Sequence, residues 1–282
     1  MKTALTRIDE KLTTVYPNER HRFEASNGVF CSCLRNDINP ETFLNDVESG
    51  SAFDFEAFKK ATKGNLLDYL MTDYHPLAQG LVDITAGGNG GMASIGRGEF
   101  FIAFLSNFDG AKISTAGRGD LEYAGGFEEV KHNGGKIAID KKAGNEIHRT
   151  FISLLEDTNI SLKSKKQDYL PNRKTDMHLY DTETKNQLNK FYYKAITGID
   201  AGSMTDSDFM KNCFKLAFDN LFNTIDTLLV INVDNDFVRF FDAQSAYEFY
   251  SKKLNIMQSE FEIRNFQNNA PSFYVGKEEV AV

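Results

Sequence analysis

The stretch from Gly119 to Lys131, GDLEYAGGFEEVK, places charged side chains at alternating positions around a pair of glycines. Gly125 and Gly126 form the kind of two-residue connection that tight hairpins use, because glycine tolerates positive φ. A hairpin with this turn pairs residue 124 with 127, 122 with 129 and 120 with 131. Side chains alternate between faces along a strand, so we expect four charged side chains on one face: Asp120, Glu122, Glu129 and Lys131.

The other face of the hairpin is expected to carry Leu121, Tyr123 and Val130, with Glu128 near the turn. A cluster of three carboxylates is costly for a fold, because like charges on neighbouring strands repel and buried carboxylates lose their hydration. A divalent cation resolves this conflict. Mg²⁺ prefers oxygen ligands and commonly binds one or two carboxylates while it keeps several waters. The charged face is therefore a candidate metal site.

The chemistry that such a site favours is hydrolysis of a phosphodiester bond. A metal polarises the phosphoryl oxygen and lowers the pKa of the attacking water. Lys131 follows Glu129 by two residues on the same face, where its ammonium can orient that water or stabilise negative charge in the transition state. His132 is a candidate for contact with substrate or metal, with an ordinary surface position as the alternative, and Lys136 is a candidate for contact with phosphate.

Asp120, followed nine residues later by Glu129-Val130-Lys131, resembles the D…(D/E)-x-K signature of the PD-(D/E)XK nucleases, the restriction-endonuclease-like superfamily. Gly96-Arg97-Gly98-Glu99, at the head of an apolar stretch, is similar to the start of the helix that precedes the two strands in that core. The order helix, strand, strand resembles phage-encoded members in particular. The resemblance covers residues 94–139, with Gly119 rather than proline before Asp120.

This resemblance implies a role for each matching residue. Asp120 and Glu129 would be ligands of Mg²⁺ or Mn²⁺, with the Val130 carbonyl as a third ligand and Glu99 as an accessory ligand. Lys131 would be the catalytic lysine, and the partner would be nucleic acid, which we expect to be DNA. Glu99 also has an alternative explanation, because the helix macrodipole favours an acidic residue in the first turn of a helix.

The elements that must position these residues indicate an α/β or α+β protein in which a mixed sheet is flanked by helices, with the restriction-endonuclease-like fold implied by the resemblance. Residues 1–80 are predicted to be mostly helical, with a short extended piece, RFEASNGVFCSCLR, around an Asn27-Gly28 turn signal. The nuclease-like core is predicted over residues 81–160. It contains a glycine-rich loop between Gly87 and Gly98, a helix at EFFIAFLSNF, several short strands and a helix at GNEIHRTFISLLED.

A polar linker, SLKSKKQDYLPNRKTD, separates this core from a smaller α+β C-terminal region over residues 175–282. That region is predicted to contain an amphipathic helix from Ser207 to Asn223, strands at LLVINV and FVRFF, a helix from Ala243 to Leu254, and two short strands near the end. Ten apolar residues at helix-like intervals before residue 80 are expected in the core: Phe43, Leu44, Val47, Phe53, Phe55, Phe58, Leu66, Leu67, Leu70 and Met71.

Composition narrows the class of protein further. The formal net charge of −8 argues against a protein that coats nucleic acid non-specifically, because such binding depends on basic residues. A local basic surface is still compatible with the sequence, since residues 131–149 carry five basic and two acidic residues. Three cysteines without a pairing pattern fit a reducing compartment. No secretory signal is recognisable, and no apolar stretch approaches the roughly 20 residues of a membrane span, so we expect a cytoplasmic protein without a membrane role.

Two further patterns suggest other ligands but fit them poorly. The glycine-rich stretch imitates a dinucleotide-binding or P-loop motif, but Arg97-Gly98 stands where a P-loop has Lys-Ser/Thr. Asp234 and Asp236 suggest a calcium loop whose remaining ligands are missing from the sequence. A turn between two strands is the better explanation there.

Two hypotheses from different classes follow from the sequence. The first is a Mg²⁺-dependent nuclease that hydrolyses phosphodiester bonds, with DNA as the expected substrate. The second is a phage virion or assembly protein at a head or tail junction, in which a nuclease-like fold serves as a scaffold. A homo-oligomer, or association with other phage structural proteins in the virion, would accompany the second.

Overall fold

The computed structural model describes residues 3–13, 19–84, 96–114, 118–123, 126–138, 190–191, 193–253 and 272–275. The chain divides into two compact units. The first comprises Met1–Gly135, Thr224–Phe241 and Val275–Val282, and the second comprises Lys136–Asn223 and Asp242–Tyr274. The predicted catalytic residues all lie in the first unit: Glu99, Asp120, Glu129 and Lys131.

Helices dominate the first part of this unit, as the sequence predicts. They are α1 (Ala4–Leu12), α2 (Glu19–Arg35), α3 (Pro40–Ser49), α4 (Phe55–Phe58), α5 (Ala78–Val82) and α6 (Glu99–Leu105), with 3₁₀-helical turns at Leu66–Tyr69 and Thr72–Leu77. Polar side chains fix several helix starts, because each accepts a hydrogen bond from a backbone N–H of the first turn. Thr3 does so for α1, Asn39 for α3 and Asp54 for α4.

The extended piece expected around Asn27-Gly28 is wrong, because both residues lie in the middle of α2. Small side chains at helical spacing make up the buried stripe of α2: Ala25, Ser26, Val29, Ser32 and Cys33. Gly28 serves close packing, since a Cβ at this position would lie 3.2 Å from the side chain of Ile84. Burial of this stripe outweighs the local turn preference of an Asn-Gly pair.

A six-stranded mixed sheet organises the first unit. Its strands are β1 (Lys63–Asn65), β2 (Lys112–Ile113), β3 (Leu121–Tyr123), β4 (Gly126–His132), β6 (Thr227–Ile231) and β7 (Asp236–Phe240), whereas β5 (Gly135–Ala138) and β8 (Ser272–Val275) form a separate pair. The strand order is β1-β7-β6-β4-β3-β2, and β4 runs parallel to β6. The protein is therefore a mixed α/β protein whose sheet is flanked by helices.

The core of the first unit fixes α6 next to the sheet. All seven residues of α6 are buried, and its phenylalanines belong to the same hydrophobic cluster as Val130 and Ile231 of the sheet. Most of the apolar residues predicted before residue 80 are in this cluster, with Phe55 and Leu67 only partly buried. The prediction for Met71 is wrong, because its side chain is 44% exposed. This packing holds Glu99, the first residue of α6, close to β4.

The predicted strands LLVINV and FVRFF are confirmed as β6 and β7. In the connection between them, the side-chain carbonyl of Asn232 accepts hydrogen bonds from the backbone N–H groups of Asp234 and Asp236, both at 2.9 Å. These contacts form a turn, as expected, and tie the two aspartates to the backbone of the connection.

The second unit contains α7 (Asp206–Phe222) and α8 (Ala243–Lys252), which confirm the two helices predicted there. Several predicted elements lie outside the described residues: most of the glycine-rich loop, the helix at 144–157, the linker at 161–176 and the first of the two strands near the end. Among the described helices, none combines the length and apolar character needed to cross a membrane.

Candidate active site

The predicted hairpin forms, but its register differs from the prediction by two residues. The observed Cα partners are Leu121 with Glu128, Glu122 with Phe127, and Tyr123 with Gly126. The predicted register needs the Phe127 backbone to pair with residue 124, but Asp226 bonds to it instead. The Asp226 carboxylate accepts from the Phe127 N–H, and the Asp226 N–H donates to the Phe127 carbonyl, both at 2.8 Å. Side-chain direction repeats every two residues, so the predicted faces are unchanged.

Asp120 lies immediately before β3 and is held by the neighbouring strand. Its N–H donates to the Glu128 carbonyl at 2.8 Å, and its Oδ2 accepts from the Val130 N–H at 2.8 Å. The preceding Gly119 has φ 53°, and a Cβ there would lie 2.8 Å from the Glu128 carbonyl oxygen. Glycine before the aspartate is therefore a requirement of this bend.

The ammonium of Lys131 lies among three oxygen groups. It donates to Glu129 Oε1 in a short hydrogen bond, lies 3.4 Å from the Val130 carbonyl oxygen, and lies 3.6 Å from Asp120 Oδ2. Burial alone would lower the pKa of Lys131, but the Asp120 and Glu129 carboxylates outweigh it and raise that pKa. The geometry defines a position where backbone and carboxylate oxygens together hold a cation.

Glu99 joins this cluster from the head of α6. Its side chain is buried, and burial, followed by the charge of Asp120, raises its pKa to about 8. A hydrogen bond from the Gly96 backbone and the charge of Lys131 oppose this rise. A Cβ at Gly96 would lie 2.2 Å from Glu99 Oε1, so the glycine leaves room for the carboxyl. The helix macrodipole would favour an acidic residue at the start of α6, but it does not require the Glu99 side chain to be buried beside Asp120.

Asp120, like Glu99, is a largely buried carboxyl group that lies close to other carboxyl groups. Its pKa is raised, first by burial, while the Lys131 charge opposes the rise and the Glu129 charge adds to it. Three carboxyls thus surround one ammonium in a largely buried space, with the Glu129 and Lys131 side chains only 13% and 16% exposed. Such an arrangement lacks positive charge, because a single lysine cannot neutralise three ionised carboxylates.

Three other predicted residues stand apart from this cluster. Glu122 is exposed on the same face of the hairpin. His132 projects to the opposite side with Val130, and its two ring nitrogens are buried without a hydrogen-bond partner among the described residues. Burial, followed by the charge of Arg97, lowers the pKa of His132. Lys136 lies in β5, and the position of its side chain is outside the described part of the chain.

A buried ion pair behind the hairpin was missed by the sequence analysis. Arg239 Nε donates to Glu128 Oε1 at 2.7 Å, and both side chains are fully buried. Thr227 donates to the same carboxylate oxygen at 3.0 Å, while Arg239 Nη1 donates to the Phe58 and Ala61 carbonyls at 2.5 and 2.9 Å. The pair joins β4 to β7 and to the end of α4. Arginine within the apolar run FVRFF was the available signal.

The donor set suits a hard divalent cation. Asp120, Glu129 and the Val130 carbonyl offer only oxygen atoms, which is the ligand type of Mg²⁺ and Mn²⁺. Within the described residues, however, no group of three or more His, Cys, Asp or Glu side chains is arranged to hold a metal as it stands. The Lys131 ammonium bonds to Glu129 and lies 3.6 Å from Asp120, at the position that a metal shared by these two carboxylates would take. Metal binding therefore requires this ammonium to move.

Comparison of the chain with protein-family models, with curated proteins and with solved structures finds no match. The functional argument accordingly depends on the geometry of the cluster and on the sequence pattern that it contains.

Proposed function

We propose that this protein is a Mg²⁺-dependent nuclease with a restriction-endonuclease-like fold, which hydrolyses phosphodiester bonds in DNA. The observation that carries the proposal is the position of the Lys131 ammonium, which is surrounded by the Asp120 carboxylate, the Glu129 carboxylate and the Val130 carbonyl. The resemblance assigns these same three oxygen groups to the metal and the lysine to catalysis.

Asp120 and Glu129 would hold the metal, with the Val130 carbonyl as a third ligand and Glu99 next to them. When bound, the metal supplies polarisation of the phosphoryl oxygen and a lowered pKa for the attacking water. Lys131, released from Glu129, would orient that water through its ammonium and stabilise charge on the phosphate. Val130 N–H fixes the Asp120 carboxylate, so that the ligand is positioned before substrate binds.

The buried pair behind the hairpin supports this arrangement mechanically. Glu128 precedes Glu129 in β4, and its ion pair with Arg239 restrains the strand from the opposite face. A catalytic group needs its backbone held to within a fraction of an ångström. The Glu128–Arg239 pair supplies such restraint on the strand that carries Glu129, Val130 and Lys131.

Cleavage of supercoiled plasmid and of a single-stranded oligonucleotide by purified protein tests the proposal. The assay compares Mg²⁺, Mn²⁺ and chelator for the parent, Glu129→Gln and Lys131→Met. Glu122→Gln is the matched control, because Glu122 lies exposed on the same face of the hairpin, outside the cluster. We expect metal-dependent nicking by the parent and the control, and a loss of about 100-fold or more in the two site variants.

Absence of cleavage by the parent with every metal would contradict the proposal and favour the virion or assembly role. Equal cleavage by the parent and Glu129→Gln would show that the activity belongs to another site or to a contaminant.

A further inference from the structure

Phe127 lies on the charged face of the hairpin, two residues before Glu129. Because side chains alternate along β4, Phe127 projects to the same side as Glu129 and Lys131, and its Cα is paired with that of Glu122. The ring is half-buried. Among the described residues, Phe127 belongs neither to the hydrophobic core of the first unit nor to the partly buried side chains packed against it. Core packing therefore does not explain this aromatic residue.

Arg118 covers the ring of Phe127. Its guanidinium carbon lies 5.8 Å from the ring centroid, and the residue is exposed two positions before Asp120. Within the described part of the chain, Arg118 forms no ion pair with a carboxylate. A guanidinium that contacts an aromatic ring keeps its N–H groups available for an anion. Arg118 and Phe127 thus place a cation and an aromatic surface beside the two principal carboxylates.

The site is rich in carboxylates, so a nearby cation such as Arg118 helps to bind a negatively charged substrate. The carboxylates of the site repel an anionic substrate when they are ionised, and the Lys131 ammonium is bonded to Glu129. Guanidinium groups bind phosphate through paired N–H donors. Two residues of β4 correspond to about 7 Å, so Phe127 is roughly one nucleotide away from the site of Glu129.

We propose that Arg118 and Phe127 form a subsite for an unpaired nucleotide, with its base on the Phe127 ring and its phosphate on the Arg118 guanidinium. This inference rests on the proposed nuclease function and names the substrate as a single-stranded segment or end. Bases in a duplex are stacked on each other, and one must leave the stack before it can contact a protein ring. Single strands carry no such cost and use aromatic side chains as stacking surfaces.

The chain contains no tryptophan, so Phe127→Trp creates a protein with a single indole at the proposed subsite. Its fluorescence is measured in chelator, which prevents cleavage, during titration with an oligo-dT strand and with a duplex. Phe23→Trp is the matched control, because Phe23 is 58% exposed on α2. We expect saturable quenching of Phe127→Trp by the single strand, weakened by salt, and none of Phe23→Trp.

A second measurement compares DNA binding by the parent with binding by a variant that lacks Phe127 and by one that lacks Arg118. Anisotropy of a labelled oligo-dT strand should show about 5- to 150-fold weaker binding for Phe127→Ala, as expected for one lost base stack. Arg118→Gln should weaken binding and reduce its salt dependence. Unchanged affinity of Phe127→Ala together with no quenching of Phe127→Trp would overturn the subsite.

The two proposals fail separately. Quenching and Phe127-dependent binding, with no cleavage of any DNA, would retain the subsite and reject the nuclease. Metal-dependent cleavage by a Phe127→Ala protein that processes single strands as well as the parent would retain the nuclease and reject the subsite.

Discussion

Replacement of Glu99 by glutamine relieves the electrostatic strain of the carboxyl cluster in metal-free protein. Burial, and then the charge of Asp120, raise the pKa of Glu99 from its ordinary value of 4.5 to about 8. Between these values the folded protein holds a proton that the unfolded chain has released. The free energy of unfolding therefore falls as pH rises from 4.5 to about 8.

The size of the loss follows from the same shift. Each tenfold change in the ionisation equilibrium is worth about 1.4 kcal/mol, so a pKa that rises from 4.5 to about 8 sets an upper bound of about 5 kcal/mol. We expect roughly 2–3 kcal/mol, because a protein relaxes around a buried charge. Glutamine has nearly the same shape and does not ionise, so Glu99→Gln should lack this part of the loss.

Urea unfolding in chelator at pH 5, pH 7 and pH 9 measures the effect. Between pH 5 and pH 9, the free energy of unfolding of the parent should fall by roughly 2–3 kcal/mol more than that of Glu99→Gln. Glu122→Gln, an exposed change on the same hairpin, should follow the parent. Equal losses in the parent and in Glu99→Gln would refute the placement of Glu99 in a buried carboxyl cluster.

Three other changes probe the site and its support. Arg239→Met leaves the Glu128 carboxylate buried without its partner and should lower the free energy of unfolding in urea by about 3–5 kcal/mol; an unchanged midpoint would contradict the buried pair. Gly119→Ala puts a Cβ 2.8 Å from a carbonyl oxygen at φ 53°. It should lower Tm more than Gly50→Ala, where φ is 75° with nothing within 4 Å and the cost is about 1–2 kcal/mol; similar losses would refute the contact. Mn²⁺ at about a hundred times its Kd should stabilise the parent by about 2.7 kcal/mol and Asp120→Asn much less, and an equal rise of Tm in both would exclude Asp120 as a ligand.

Features that depend on local pattern were predicted from the sequence. The apolar run after Glu99 identified α6, and alternation around Gly125 and Gly126 identified the hairpin and its charged face. The register was wrong by two residues, yet the faces survived because side-chain direction has a period of two. The structure brings Glu99, Asp120, Glu129 and Lys131 together, while their metal-binding and catalytic roles stay predictions.

Features that depend on distant residues were not predicted. The Asn27-Gly28 pair signals a turn locally, but α2 continues through it because its small side chains are buried. Glu128 and Arg239 are 111 residues apart, and no local spacing connects them. The parallel pairing of β4 with β6 likewise joins two strands that the sequence assigned to separate regions. Glu122 was expected in the cluster and is exposed instead.

The most direct test of a metal between Asp120 and Glu129 is the anomalous scattering of Mn²⁺ in crystals of the protein. We expect one strong peak within about 2.3 Å of both carboxylates and the Val130 carbonyl oxygen, with the Lys131 ammonium displaced from Glu129. A map in which Mn²⁺ binds elsewhere, or in which Lys131 keeps its bond to Glu129 at saturating Mn²⁺, would contradict a metal-dependent nuclease site at this position.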